Sequence, residues 1–319
     1  MDDRTLTSRW YSFVMPNRAP VTGLWCALLT PLDRDGGVDH ARLARHAASL
    51  LSQGVDGVAP FGTTGEGQSF SLAERQLGLD ALLAAGVPAG RVVAATGCAA
   101  LTETVALTRQ GVASHCAACL VLPPFFFKDV SDEGLYAWYA RVIEGVADPR
   151  LRVLLYHIPQ VSGVPLSVEL VARLAAAFPG IIAGVKDSAG DWANTCALLQ
   201  RVPQLAILVG HEPHLPRLLR AGGAGTICGV ANVHPRLVRA LLSPEVTAAD
   251  EARMATFLEI AFRQPFLPAL KSIVAECTGD PGWLAVRPPQ VPLADGARLA
   301  LLAALDAADL TFGAVAPHD

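Results

Sequence analysis

The stretch Ile181-Ile182-Ala183-Gly184-Val185-Lys186-Asp187-Ser188-Ala189-Gly190 decides how the rest of the chain is read. Five uncharged, mostly apolar residues run directly into a lysine and a small polar cluster. A short apolar run closed by turn formers predicts a strand buried on both faces, as in a parallel sheet. Lys186 then stands at the carboxyl end of that strand. Only Lys128, Lys186 and Lys271 are lysines, against twenty-two arginines (25 Lys+Arg minus 3). Arginine cannot shed its proton to act as a nucleophilic amine, whereas lysine can. On its own, Lys186 is equally readable as a side chain snorkelling to a loop or paired with Asp187.

The same punctuation recurs outward from this strand. Apolar β-type runs lie at 24–30, 57–61, 92–96, 118–122, 153–157, 181–185, 206–210 and 225–228, alternating with helical patterns. Asp39 starts a helix to Gln53, Ser71 and Glu74 form a capping box, and Thr102, Ser131, Ser167, Asp191, Glu212-Pro213 and His234-Pro235 open the others. Strand–helix repeats of this kind predict parallel strands with right-handed crossovers, and eight of them predict a (β/α)₈ TIM barrel in the α/β class. After strand one, Thr30-Pro31-Leu32-Asp33 is not a dinucleotide-binding glycine turn, which argues against an open doubly wound sheet. The organisation expected is an N-terminal extension over 1–20, a barrel over 21–245 and a C-terminal helical appendage over 246–319.

Composition narrows the function. The 319 residues carry a net charge of −4, and no basic stripe marks a nucleic-acid partner. No apolar run reaches the 18 or more residues of a membrane span. The start, Met1-Asp2-Asp3-Arg4, lacks the basic flank of a signal peptide, and seven cysteines then point to reduced thiols in cytoplasm. Cys116-x-x-Cys119 reads as buried structural thiols because no second pair follows at zinc spacing. His211-Glu212-x-His214 does not place two histidines on one helical face, so no metal is expected there.

In a barrel of this type, chemistry gathers at the carboxyl ends of the strands. Those ends carry Gly62-Thr63-Thr64-Gly65-Glu66, Tyr156-His157, Lys186-Asp187 and Gly210-His211. Strand alternation puts Lys186 on one face with Gly184, and Tyr156 on the neighbouring strand. Tyr156 is either a proton shuttle for the amine or an amphipathic rim residue. The glycine-flanked threonine pair is a turn able to cradle a carboxylate. Together these groups describe imine chemistry: a lysine amine attacks a 2-oxo carbon, a phenol moves protons, and a hydroxyl turn holds the carboxylate. No metal or organic cofactor is required, the covalent link being the imine through Lys186.

These residues resemble the dihydrodipicolinate synthase and N-acetylneuraminate lyase family of pyruvate-dependent class I aldolases, over nearly all of 21–305. Gly62 to Glu66 is similar to its carboxylate turn, Leu155-Tyr156-His157-Ile158-Pro159 to its tyrosine segment, and Gly184-Val185-Lys186-Asp187-Ser188 to its lysine segment. Gly222-Gly223-Ala224-Gly225, Ala231-Asn232-Val233 and Leu267-Pro268-Ala269-Leu270-Lys271 are similar to its later regions. The resemblance implies Lys186, Tyr156 and Thr63 as catalytic residues and Thr63, Thr64, Gly65 and Ile227 as substrate-binding ones. It also implies a homo-oligomer, dimer or tetramer. The synthases have an arginine in the tyrosine segment where this chain has Val161, and a tyrosine after strand four where it has Phe125-Phe126-Phe127. The first reading is therefore a lyase cleaving a 2-keto-3-deoxy acid into a 2-oxo acid and an aldehyde. Alternatives are a dehydratase of such an acid, the synthase itself, and a non-catalytic 2-oxo-acid-binding barrel. His157 is read as structural or as a rim contact to substrate.

Overall fold

The computed structural model describes residues 21–310; the expected extension over 1–20 and the end of the appendage lie outside the described residues. All eight strands are found: β1 Gly23–Ala27, β2 Gly57–Ala59, β3 Val93–Ala95, β4 Ala118–Val121, β5 Val153–His157, β6 Ile182–Asp187, β7 Ala206–Val209 and β8 Gly225–Cys228. Their order in one sheet is β2-β1-β8-β7-β6-β5-β4-β3. Apart from β2 and β3, which end the order, sequence neighbours pair in parallel with helices between them, as in a nearly closed (β/α)₈ barrel. The strands are almost wholly buried, and this explains why they read as continuous apolar runs rather than alternating ones.

The intervening helices are α1 His40–Ser52, α2 Leu72–Ala84, α3 Leu101–Ala113, α4 Asp132–Val146, α5 Val168–Ala177, α6 Trp192–Arg201, α7 Leu215–Arg220 and α8 Pro235–Leu241. The expected caps are made: Asp39, Ser131, Ser167 and Asp191 each accept an amide of the first turn, and Ser71 with Glu74 closes a capping box. Two starts differ from expectation. The third helix begins at Leu101 because Thr104 Oγ1 turns back to the amide of Cys98, and Glu212–His214 is a tighter 3₁₀ turn ahead of α7. The C-terminal helices α9 Ala248–Ala261, α10 Phe266–Thr278 and α11 Asp295–Ala307 follow.

By contact density the chain forms two compact units, one of Ala89–Thr226 with Gly23, the other of Leu24–Pro88 with Ile227 onward. In the first, β3 to β7 line up in parallel with α3 to α6 between the strands and α7 after β7, and Leu120, Leu154, Val185 and Leu208 are buried within it. In the second, Asn232 ties β1 to the chain after β8. Its side chain donates to the carbonyls of Ala27 and Gly229 and accepts the amide of Leu29.

Candidate active site

The register of β5 and β6 places Tyr156 directly opposite Lys186. Parallel neighbours in register share a face, so both side chains enter the same apolar space. Each is 4% exposed. Lys186 Nζ donates to the Tyr156 hydroxyl at 3.2 Å and lies 4.3 Å from the centre of its ring. One local feature was invisible in the sequence: the register skips Ala183, so Val153 faces Ile182 while Leu154 faces Gly184. A bulge of this kind re-aims the side chains that follow it. Gly184 is obligatory here, because a Cβ would lie 2.3 Å from the carbonyl oxygen of Ala206.

Asp187 does not pair with Lys186. Its buried carboxylate accepts from the Thr195 hydroxyl at 2.8 Å, the Asn194 amide at 3.0 Å and the Ala189 N–H at 3.1 Å. The other two lysines are also occupied. Lys128 donates to the carbonyls of Phe125 and Ser162, and Lys271 to the carbonyl of Ala285 while paired with Glu66. Of the three lysines, Lys186 is the one facing a phenol rather than a carbonyl or a carboxylate. Nucleophilic attack needs such an amine.

In the second unit, Gly62–Gly67 forms a tight turn after β2. Its own bonds run from the Glu66 amide to the Thr63 carbonyl and from the Gly67 amide to the Gly62 carbonyl. Thr30 Oγ1 donates to the Gly65 carbonyl at 2.7 Å. Gly65 and Gly67 are required by space: a Cβ would meet Leu28 O at 2.6 Å in the first case and Phe61 O at 1.7 Å in the second. Thr63 is exposed and Thr64 half-buried, with the Thr64 hydroxyl turned towards Gly229 after β8. Ile227, in β8, is completely buried.

Other residues flagged by the sequence have simpler roles. His157 points with Asp187, away from the amine, and its Nδ1 accepts the amide of Leu166 at 3.0 Å, which is the structural reading. Burial holds its pKa below the ordinary imidazole value. Phe126 and Phe127 are exposed and meet edge to face at 5.2 Å. Val161 is 60% exposed on the single helical turn Pro159–Ser162. His211 and His214 meet edge to face at 4.5 Å, with Trp192 against His214. Among the described residues no group of three or more His, Cys, Asp or Glu could hold a metal ion. Burial pushes the Cys116 thiol up to about 12 and also raises Cys119, as inert structural thiols require.

Comparison with known proteins places this geometry. The model of the dihydrodipicolinate synthetase family matches residues 20–308. A protein of Chloroflexus aurantiacus described as an uncharacterized DapA-like lyase is 37% identical over 290 residues, covering 89% of this chain and 96% of that one. The crystal structure of dihydrodipicolinate synthase from Agrobacterium tumefaciens is 40% identical with a TM-score of 0.85, over 90% of this chain and 99% of that one. YagE of Escherichia coli, a member of the same family solved in complex with pyruvate, is 26% identical with a TM-score of 0.82, over 92% and 100%.

Proposed function

The chain belongs to the dihydrodipicolinate synthetase family, which makes it a class I, pyruvate-dependent lyase, and we propose that Lys186 is the amine that carries its covalent chemistry. The observation that carries this reading is the buried Lys186–Tyr156 pair, in a chain whose other lysines are already held by carbonyls or a carboxylate. The amine attacks the carbonyl carbon of a 2-oxo acid; water leaves, and an iminium remains. With a 2-keto-3-deoxy acid bound, the C4 hydroxyl gives up its proton and the C3–C4 bond breaks. Its electron pair passes into the iminium to form an enamine, and an aldehyde departs. Protonation at C3 followed by hydrolysis releases pyruvate and the free amine. Tyr156, 3.2 Å from the nitrogen, is the general acid and base for these transfers, within hydrogen-bond reach as that role demands. Thr63 and Thr64 take the substrate carboxylate on the Gly62–Gly67 turn, and the Thr63 hydroxyl relays protons. The iminium is the electron sink, so the scheme uses no metal or organic cofactor.

The second substrate is an aldehyde without a carboxylate to be clamped. An arginine would bind such a group in a bidentate fashion; Val161 cannot. Lys128 beside it is engaged with backbone carbonyls of Phe125 and Ser162. A second reading, condensation of pyruvate as in the synthases, is favoured by the 40% identity with the Agrobacterium protein. The experiment is product analysis coupled to lactate dehydrogenase. Pyruvate release from a 2-keto-3-deoxy acid supports the lyase. Consumption of the acid without pyruvate release identifies dehydration instead, and condensation of pyruvate with aspartate semialdehyde identifies the synthase.

No described helix is long and apolar enough to cross a membrane, and all seven cysteines are free thiols. Free thiols in a chain with seven cysteines support assignment to the cytoplasm. The exposed Phe126 and Phe127 support an apolar contact in a homo-oligomer, dimer or tetramer.

A further inference from the structure

Beneath the threonine turn lies a charge pair that the chemistry above does not use. Glu66 adopts a left-handed backbone, φ +55, although it has a Cβ, and it is buried. A non-glycine residue persists in that conformation when its surroundings over-determine it. Here they do so through the carboxylate. Oε1 lies 2.5 Å from Nζ of Lys271 on α10, and Oε2 accepts the Arg287 amide at 2.9 Å. Lys271 is completely buried and also donates to Ala285 O at 2.8 Å. The Arg287 guanidinium continues outward, to Ser69 O at 2.9 Å and Glu74 at 2.7 Å, over the ring of Phe70. The carboxyl-terminal region therefore grips the turn by the side chain that follows Gly65.

A buried ion pair is a poor source of net stability but a strong constraint on geometry, because neither charge can be left alone. We propose that the Glu66–Lys271 pair is a positioning device for the carboxylate of the 2-oxo acid. It fixes the turn so that Thr63 and Thr64 are preset to receive that group, and it neutralises a carboxylate that would otherwise repel the incoming anion. Glu66 and Lys271 are positioning residues, acting through the threonines. The inference rests on the reading of Gly62–Gly67 as the carboxylate turn.

The test compares wild type with Lys271→Met, Glu66→Gln and the double variant. The readouts are the pyruvate concentration giving half-maximal borohydride labelling of Lys186, the KM and kcat of cleavage, and the melting temperature. For Lys271→Met the half-saturating pyruvate concentration rises about tenfold or more, with kcat at saturation within about threefold of wild type. Glu66→Gln shifts the same value less, because no carboxylate is left to repel the incoming anion. The double variant recovers most of the affinity lost in Lys271→Met. A folded Lys271→Met protein that melts lower yet has unchanged pyruvate half-saturation would overturn the proposal, leaving the pair a structural brace. A double variant no better than the single one overturns it too. Should Lys271→Met fail to fold, Glu66→Gln decides: a raised pyruvate half-saturation supports the proposal, and an unchanged value overturns it. A wild type that takes no pyruvate-dependent label at Lys186 instead brings down the proposed function, and this inference with it.

Discussion

Tyr156→Phe removes one oxygen atom from the proposed active site and leaves the rest in place. The ring stays 4.3 Å from Lys186 Nζ, and the lysine loses its 3.2 Å hydrogen bond to the phenol. A hydrogen bond of this kind contributes roughly 1 kcal/mol to stability, so the variant folds and melts close to wild type. Its catalytic cost is far larger. General acid–base catalysis by a positioned side chain is worth about 10²–10⁴-fold, or about 3–5 kcal/mol of barrier. The amine itself remains, so slow imine formation with pyruvate survives and borohydride still labels Lys186. Cleavage, measured by lactate dehydrogenase coupling, falls by two to four orders of magnitude, mainly in kcat. A Tyr156→Phe enzyme retaining wild-type kcat would refute the assignment of the phenol as the proton carrier.

Four further outcomes follow from the same geometry. Gly65→Ala pushes a Cβ to within 2.6 Å and 2.9 Å of backbone atoms that cannot swing aside, costing about 1–3 kcal/mol and weakening pyruvate binding. Gly62→Ala, with open space around its Cβ, stays within about 0.5 kcal/mol by chemical denaturation. Asp187→Ala strips the acceptor from buried donors on Thr195, Asn194 and Ala189 and lowers stability by about 3 kcal/mol or more, read from the denaturant midpoint. His46 is held down to about 4 by burial, against the hydrogen bond it donates to Asn232 Oδ1. Below pH 6.5 the unfolded chain takes up a proton that the folded one refuses, so stability is lost as pH falls from 6.5 towards 4. At pH 5 the loss from this residue is about 2 kcal/mol. Melting curves across that range check it, with His46→Gln expected to flatten the slope.

Much of the fold was legible because parallel strands covered on both faces leave an unbroken apolar signature, and helix caps are written locally. The central pair was legible for the same reason: strands five and six are neighbours, so residues at their ends must meet. What escaped the sequence was long-range or subtle. The skipped register at Ala183 has no local mark beyond Gly184. The orientation of His157 depends on the amide of Leu166, and that of Asp187 on the first turn of α6. Glu66 was visible within its turn, but nothing near it identified Lys271 on a distant helix as its counter-ion. Ion pairs between remote segments follow from the fold, not from spacing.

The account stands on which lysine takes the substrate. Borohydride reduction in the presence of pyruvate, followed by peptide mapping, reads this directly in a chain with only Lys128, Lys186 and Lys271 to distinguish. The expected result is a carboxyethyl group on the Lys186 peptide alone, absent without pyruvate and absent in Lys186→Ala. Label on Lys271 or Lys128, or on no lysine at all, would contradict it.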